Sequence, residues 1–486
     1  MRFKFLSVIF IVSALLCGTA KAENVDLQTA KQIGAYYFTV ATGAKAPVSA
    51  DNLKLALQFD NPTLSIPSLY AFNVAGNGFV VVSASDCTEP ILAYSPIGHL
   101  DPENINPACQ YMLDSYSKLI SQNQNTDATP TTEVLGMWKE LADQTFSCEP
   151  ESKSILVQAQ WDQVEPYNYY SPVVSGERCP AGCVATAMGM IIHYWKHPTV
   201  GGNENSSTCS YSWNGKTLKY KFLVDSNKFE YEKMPNKLTY RSTLEEQKAI
   251  GKLLFACGVT VKMGFNVDGS GAHSEDVPNA FTNWFKYSPD ITYVKRHHTN
   301  GGTLVSDAEW LSMLHSELDD YARPVYYSAH DPNPNTSGDG AGHAFIIAGS
   351  SSSSNSKFYI RWGWGGNSDG FFTLAPATSI QTTASGYSFS AGHAMVYKIH
   401  PNNLGIDDNT SYSEAPCYPN PASDYLMIPS NLPLNATLVV YAADGKMVDK
   451  QVIPGGTGEY RLNLQSYAPG VYIYRLNGNA VKFTVR

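Results

Sequence analysis

The spacing of apolar residues changes character three times along the chain. In "VDLQTAKQIGAYYF" (25–38) and "QYMLDSYSKLISQ" (110–122) apolar positions recur every three or four residues, which predicts helices. Between them "LYAFNVAGNGFVVVSASD" (69–86) predicts two strands joined at Gly76-Asn77-Gly78. The polar run "SQNQNTDATPTTE" (121–133) predicts an exposed connection that closes a small α+β unit. From about 154 to 400 two helical stretches, one after Cys183 and "LEEQKAIGKLLFACGV" (244–259), precede the strand-like runs "PVYYSAH", "HAFIIAGS" and "FYIRWGW". Helices first and strands afterwards favour an α+β fold over a doubly wound sheet. The last stretch, set off by "GIDDNTSYSEAP" (405–416), turns all-β, with hairpins at Asp444-Gly445 and Asn477-Gly478 and a further strand in "EYRLNL".

Within the helix after Cys183, residues Val184, Ala187, Met188, Ile191, Ile192 and Trp195 keep helical spacing, and Pro198 lies just beyond its end. A thiol attacks as its thiolate, and a helix N-terminus offers unpaired N–H groups and partial positive charge that favour the ionised form. Gly182 allows close approach of a substrate backbone there. Cysteine is also among the most buried residue types, so position alone leaves a core role open. His343, at the start of an apolar strand and 160 residues downstream, supplies the partner that nucleophilic catalysis needs.

Composition narrows the field of functions. Among 486 residues 43% are hydrophobic and 16% charged, an ordinary globular balance, and length alone suggests about three domains. The net charge of -9, without clustered Lys and Arg, excludes nucleic acid as the main partner. Arg2 and Lys4, the apolar run Phe5 to Leu16, and Ala20-Lys21-Ala22 form a secretory signal with cleavage expected after Ala22. A lipoprotein use of Cys17 is opposed by Leu16 in front of it, where a small residue is wanted. Removing Cys17 leaves eight of nine cysteines, a number that does not separate a disulfide framework from free thiols. In "CPAGC", Cys179 could bridge Cys183 as a redox latch, pair elsewhere or stay free; the spacing without nearby histidines argues against zinc. The loop "DPNPNTSGDG" (331–340) lacks the glycine and terminal glutamate of a calcium loop and suits an active-site flap. Neither "GSGAH" nor "GDGAG" carries the Lys-Ser/Thr that phosphate binding requires.

Four motifs in order, "WDQVEPYN", "GCVATAMGMIIHYW", "GHAFIIAG" and "WGWGGNSDGFF", resemble the streptopain family of bacterial papain-like cysteine peptidases. The resemblance covers about 154 to 400, and "GFVVVSASDCTEPILAYS" (78–95) is similar to that family's inhibitory prodomain. It implies Cys183 as nucleophile, His343 as general base and acid, and Gln163 as side-chain donor of the oxyanion hole. It also implies that Trp362 and Trp364 shield and orient the histidine. No metal or cofactor is implied. Arg361 stands where the family commonly has an asparagine before the first tryptophan, so no side-chain amide is assigned to fix the tautomer of His343. Asn367 and Asp369 lie nearby, in a stretch whose composition suits a turn. The tail from "YPNPASDYLMI" (418–428) onward resembles the C-terminal sorting domain read by the type IX secretion system of certain Gram-negative bacteria.

These expectations assemble into a signal peptide (1–22), an inhibitory prodomain (23–150), a papain-like peptidase domain (151–403) and a β-sandwich sorting domain (404–486). The expected protein is a cysteine endopeptidase zymogen, cut somewhere between about 124 and 157, exported through the periplasm and secreted or held at the bacterial surface. Its expected partners are protein or peptide substrates, its own prodomain as inhibitor, and the secretion machinery. Two other readings stay open: an inactive surface adhesion or binding protein on the same fold, and a transglutaminase-like acyltransferase using the same dyad.

Overall fold

The computed structural model describes residues 22–126, 128–151, 155–203, 206–223, 227–296, 305–330, 342–377, 392–402, 417–430, 432, 435–443, 447–476 and 479–486. The signal peptide with Cys17, the loop 331–340, the connection 405–416 and the two turn dipeptides Asp444-Gly445 and Asn477-Gly478 lie outside the described residues.

The front unit consists of α1 (Leu27–Thr42), strands β1 (Leu53–Asp60), β2 (Pro67–Val74), β3 (Phe79–Ser83) and β4 (Ile91–Ser95), then α2 (Pro107–Gln124) and α3 (Thr132–Ala142). Each helix begins at a side chain that accepts from its first free N–H groups: Asp26, Asn106 and Thr131. The polar run 121–133 differs from expectation. Its first four residues close α2, with Ser121 and Asn123 buried, and its end enters α3, which buries Val134, Trp138 and Leu141. Apolar periodicity in α3 is too sparse to stand out beside the polar stretch before it.

The central unit contains the short pair β5 (Val173–Val174) and β6 (Glu177–Arg178), then α4 (Cys183–Trp195), and the hairpin β7 (Thr208–Trp213) and β8 (Lys216–Lys221). After α5 (Leu244–Thr260) and α6 (Val277–Phe285) come β9 (Thr292–Lys295), α7 (Asp307–His315), β10 (Val325–Ala329), β11 (His343–Ser350), β12 (Lys357–Arg361), β13 (Gly370–Thr373) and β14 (Ala394–Tyr397). The strands of the front and central units form one sheet of ten, ordered β1-β2-β3-β4-β13-β12-β11-β10-β14-β9. This continuity is not legible in the sequence. The joint is the pairing of β4 with β13, Tyr94 opposite Phe371 and Ala93 opposite Phe372, and the Tyr94 and Phe371 rings stack at 5.1 Å. Beside it, Lys357 Nζ meets Glu89 Oε2 at 2.8 Å, with both side chains buried.

Side chains alternate across this sheet, so it carries two cores. One face takes Tyr70, Phe72, Val80, Val82, Ala344 and Ile346 together with α1, α4 and α5. The other takes Leu69, Ala71, Val81, Phe345 and Ile347 together with α2 and α7. Helix α4 is apolar on all sides because it is buried between β11 and α5, and eleven of its residues are buried. Gly189 makes that sandwich possible: a Cβ there would come within 2.5 Å of Leu254 Cδ2.

The C-terminal unit stacks a sheet ordered β17-β16-β19-β20 against the pair β15-β18. Its strands are β15 (Tyr425–Pro429), β16 (Ala436–Ala442), β17 (Met447–Ile453), β18 (Glu459–Asn463), β19 (Gly470–Leu476) and β20 (Asn479–Val485). The α+β architecture with a small β-sandwich at its end agrees with the sequence.

Near the end of α4, His193 is buried, donates from Nε2 to the Met234 carbonyl at 2.9 Å, and lies 4.9 Å from the Trp161 ring. Burial, helped by Lys196, lowers its pKa to about 3. The folded chain therefore holds it neutral where the unfolded chain protonates it near pH 6.5, so this group weakens the fold progressively from about pH 6.5 down to about 3. At pH 5 the loss is at most about 2 kcal/mol. His193→Gln, which keeps a donor for Met234, should flatten the acid limb of a urea-unfolding series relative to the parent, while the two agree in slope above pH 7.

Candidate active site

Cys183 is the first residue of α4, and Gly182 before it has φ 88°. That left-handed turn, with Met263 Cε and the Ser270 carbonyl each under 3 Å from where a Cβ would sit, admits only glycine without strain. The Thr186 N–H and hydroxyl both bond the Gly182 carbonyl at 3.0 Å and fix the first turn. The main-chain N–H of Cys183 thus opens a helix N-terminus, where negative charge is favoured. The Ala344 N–H also lies in hydrogen-bonding reach of the sulfur, which places the thiol beside the second residue of β11.

His343 begins β11, paired with Ala329 of β10. Its ring is 6.3 Å from that of Tyr111 on α2, a front-unit residue. This contact lies on the α2 face of the sheet, whereas α4 packs on the other. Burial raises the Cys183 pKa, opposed by its backbone hydrogen bonds, and burial lowers that of His343. Both shifts favour the neutral forms of these groups.

Gln163 is buried at 7% exposure, not solvated as an isolated loop glutamine would be. Its carbonyl accepts from the Ala181 N–H at 2.7 Å, tying its loop to the turn before Cys183, and Asp162 Oδ1 accepts from its N–H at 2.6 Å. Its Nε2 is buried with no hydrogen-bond partner among the described residues. A buried donor left unpaired costs stability, so such a group marks a place where an acceptor is expected.

Trp362 is fully buried, packed 4.8 Å from Phe345 and 5.0 Å from Phe372, and its Nε1 donates to the Ser368 carbonyl at 2.9 Å. Trp364 is half-buried and its Nε1 is unpartnered among the described residues. It follows β12 at the end where the antiparallel neighbour β11 begins with His343. Arg361 turns away from this edge. Its Nε donates to the Val157 carbonyl at 3.0 Å and its Nη1 to Asp369 Oδ2 at 2.8 Å, both side chains being buried. Asp369 Oδ1 accepts from the Trp362 N–H at 3.0 Å. Asp369 is thus more than a turn residue: it neutralises Arg361 and pins the Trp362 backbone. A lone buried acid eight residues after an arginine gives no sequence signal of that pairing.

All eight cysteines among the described residues are free, so Cys179 and Cys183 are not bridged. No group of three or more His, Cys, Asp or Glu side chains suited to a metal occurs among the described residues.

The Peptidase C10 family matches residues 161–372, the Spi protease inhibitor family matches 22–120, and the secretion system C-terminal sorting domain matches 416–486. Streptopain of Streptococcus pyogenes is 27% identical over 373 residues, which cover 73% of this chain and 86% of that one. The thiol protease/hemagglutinin PrtT of Porphyromonas gingivalis is 28% identical over 400 residues, covering 78% of this chain and 42% of that one. A solved fragment of prointerpain A from Prevotella intermedia shares the fold, with TM-score 0.54 and 23% identity over 71% of this chain and 97% of that one. The sorting domain marks a secreted or cell-surface protein. With an inhibitor domain in front of its peptidase C10 region and a sorting domain behind, the chain is a cysteine endopeptidase made as a zymogen.

Proposed function

We propose that Cys183 is the nucleophile of this peptidase, His343 its general base and acid, and Gln163 its side-chain oxyanion donor. The observation that carries the reading is the buried, unpartnered Nε2 of Gln163 on a loop hydrogen-bonded to the turn that presents Cys183. The Cys183 thiolate attacks the scissile carbonyl carbon, and the carbonyl oxygen takes the negative charge between the Cys183 N–H and Gln163 Nε2. His343, having taken the thiol proton, returns it to the departing amine, leaving a thioester on Cys183. Water, deprotonated by the same imidazole, then attacks the thioester and releases the acid. Trp362 fixes the sheet beneath His343 through Phe345, and Trp364 shields the imidazole edge.

The domain boundaries that suit this reading are 23–150 for the inhibitor, 151–403 for the peptidase and 404–486 for the sorting domain. Substrates are proteins or peptides. Export runs through the periplasm, followed by type IX secretion across the outer membrane. In the intact chain the front unit keeps the His343 ring against Tyr111, and activity requires that this ring reach the α4 edge.

Cys183→Ala should abolish casein digestion and self-shortening of the full chain in a reducing buffer, followed by mass. Gln163→Ala should lower kcat about a hundredfold with KM little changed, because the donor acts on charge that develops only in the transition state. A Gln163→Ala enzyme with unaltered kcat would remove it from the oxyanion hole. Capture of the acyl group by added amines faster than by water would assign the dyad to acyl transfer instead.

A further inference from the structure

The stretch around Gln163 is anchored at both ends. Ahead of it, the Gln160 N–H donates to the Asn236 carbonyl at 2.6 Å, and the buried Trp161 donates from Nε1 to the Pro235 carbonyl at 2.9 Å. The Trp161 carbonyl accepts from the Gly365 N–H at 3.0 Å, which ties the stretch to the turn that follows β12. Beyond Gln163, the Tyr167 N–H donates to the Val164 carbonyl at 2.9 Å, and Asn168 Nδ2 donates to the Cys179 carbonyl at 3.1 Å. These bonds set where the stretch lies; they do not set the rotation of the peptide groups on either side of Gln163.

That rotation is set by Asp162 and Ala181. Asp162 Oδ1 accepts from the Gln163 N–H at 2.6 Å and from the Val164 N–H at 3.4 Å. The Gln163 carbonyl accepts from the Ala181 N–H at 2.7 Å. The first bond fixes the planar peptide group before the Gln163 Cα, and the other two fix the one after it. With both planes held, φ, ψ and the direction of the Cα–Cβ bond are given, and only the side-chain torsions of Gln163 remain. Among the described residues, the peptide group before Gln163 has no hydrogen bond other than the one to Asp162.

We propose that Asp162 is a positioning residue for the oxyanion hole, acting through Gln163: its carboxylate oxygen holds the peptide group before Gln163 and so keeps Nε2 where the substrate carbonyl oxygen takes up charge. A donor already in place needs no reorganisation when that charge develops, which is why such groups act strongly on the transition state. A displacement of about 1 Å in such a group costs up to about a hundredfold in rate. Gln163 Nε2, buried and without a hydrogen-bond partner among the described residues, is held by no bond of its own, so its position depends on the backbone beneath it. The role calls for an acceptor at Oδ1 and not for a negative charge, so an amide oxygen at the same place serves as well. The inference rests on the reading of Gln163 as oxyanion donor given above and adds the group that keeps it in place.

The test uses the chain from residue 23 to 486, each variant shortened by parent enzyme fixed to a resin, so that its own rate does not decide how much of it matures. Asp162→Ala should lower kcat on a fluorogenic peptide amide about tenfold with KM little changed. Asp162→Asn, which keeps the acceptor, should stay within about threefold of the parent. In the double variant, Asp162→Ala with Gln163→Ala, kcat should be no lower than with Gln163→Ala alone, because Asp162 acts through that side chain. Alkylation of Cys183 by iodoacetamide, an attack that builds no oxyanion, should run at the parent rate in Asp162→Ala. Parent kcat in Asp162→Ala, an Asp162→Asn enzyme as slow as Asp162→Ala, losses that multiply in the double variant, or an alkylation rate that falls together with kcat would overturn the proposal. Gln163→Ala separates the two possible failures: with the parent's kcat it removes the oxyanion reading itself, whereas a loss of about a hundredfold beside an unaffected Asp162→Ala removes Asp162 alone.

Discussion

The pairing of β4 with β13 is the constraint on which the rest of this molecule depends. It makes one sheet out of two units, and the hairpin it grips, β12 with β13, is the one that carries Trp362 and leads to the edge where His343 begins β11. The stacked Tyr94 and Phe371 rings and the buried Lys357–Glu89 pair lie at the same seam. A buried ion pair that loses one partner leaves an unpaired charge in a dry site, at a cost of several kcal/mol, so the seam resists partial opening. Cutting the connection between the units leaves these contacts in place. Release of the front unit therefore needs the sheet itself to part, and inhibition does not end with the broken peptide bond.

The chemistry depends on what that seam holds apart. Gly182 and the first turn of α4 are fixed by backbone geometry that does not involve the front unit, so the setting of Cys183, the proposed nucleophile, is prebuilt. The imidazole is not: it rests on α2, whose Tyr111 belongs to the inhibitor region. Burial raises the thiol and lowers the imidazole, and each shift opposes formation of the thiolate–imidazolium pair that the proposed mechanism uses.

Much of this is legible in the sequence, and for physical reasons. Strong periodicity marks α1, α2, α4 and α5, and a glycine before a cysteine at the head of an apolar helix singles out Cys183 as the proposed nucleophile. Alternation and turn residues mark the C-terminal sandwich. Helix α3 escapes notice because its three buried residues follow a polar run. The ten-stranded sheet escapes it because its joint pairs Tyr94 with Phe371, residues too far apart along the chain to leave a local pattern. Asp369 reads as a turn residue because its partner Arg361 is recognised only once both are seen buried. Gln163 is legible through its motif alone, since nothing local distinguishes a buried glutamine from a solvated one.

The central claim is that the docked front unit holds the His343 ring against Tyr111 and that its removal allows the imidazole to ionise Cys183, as the proposed mechanism requires. The most direct measurement is the pH dependence of Cys183 alkylation by iodoacetamide, followed on the Cys183 peptide by mass, in the intact chain and after the front unit has been removed. The account predicts a thiol that titrates above the ordinary value of about 8.5 in the intact chain and below about 7 in the released enzyme. An intact chain whose Cys183 already titrates below about 7, or the same titration in both forms, would contradict it.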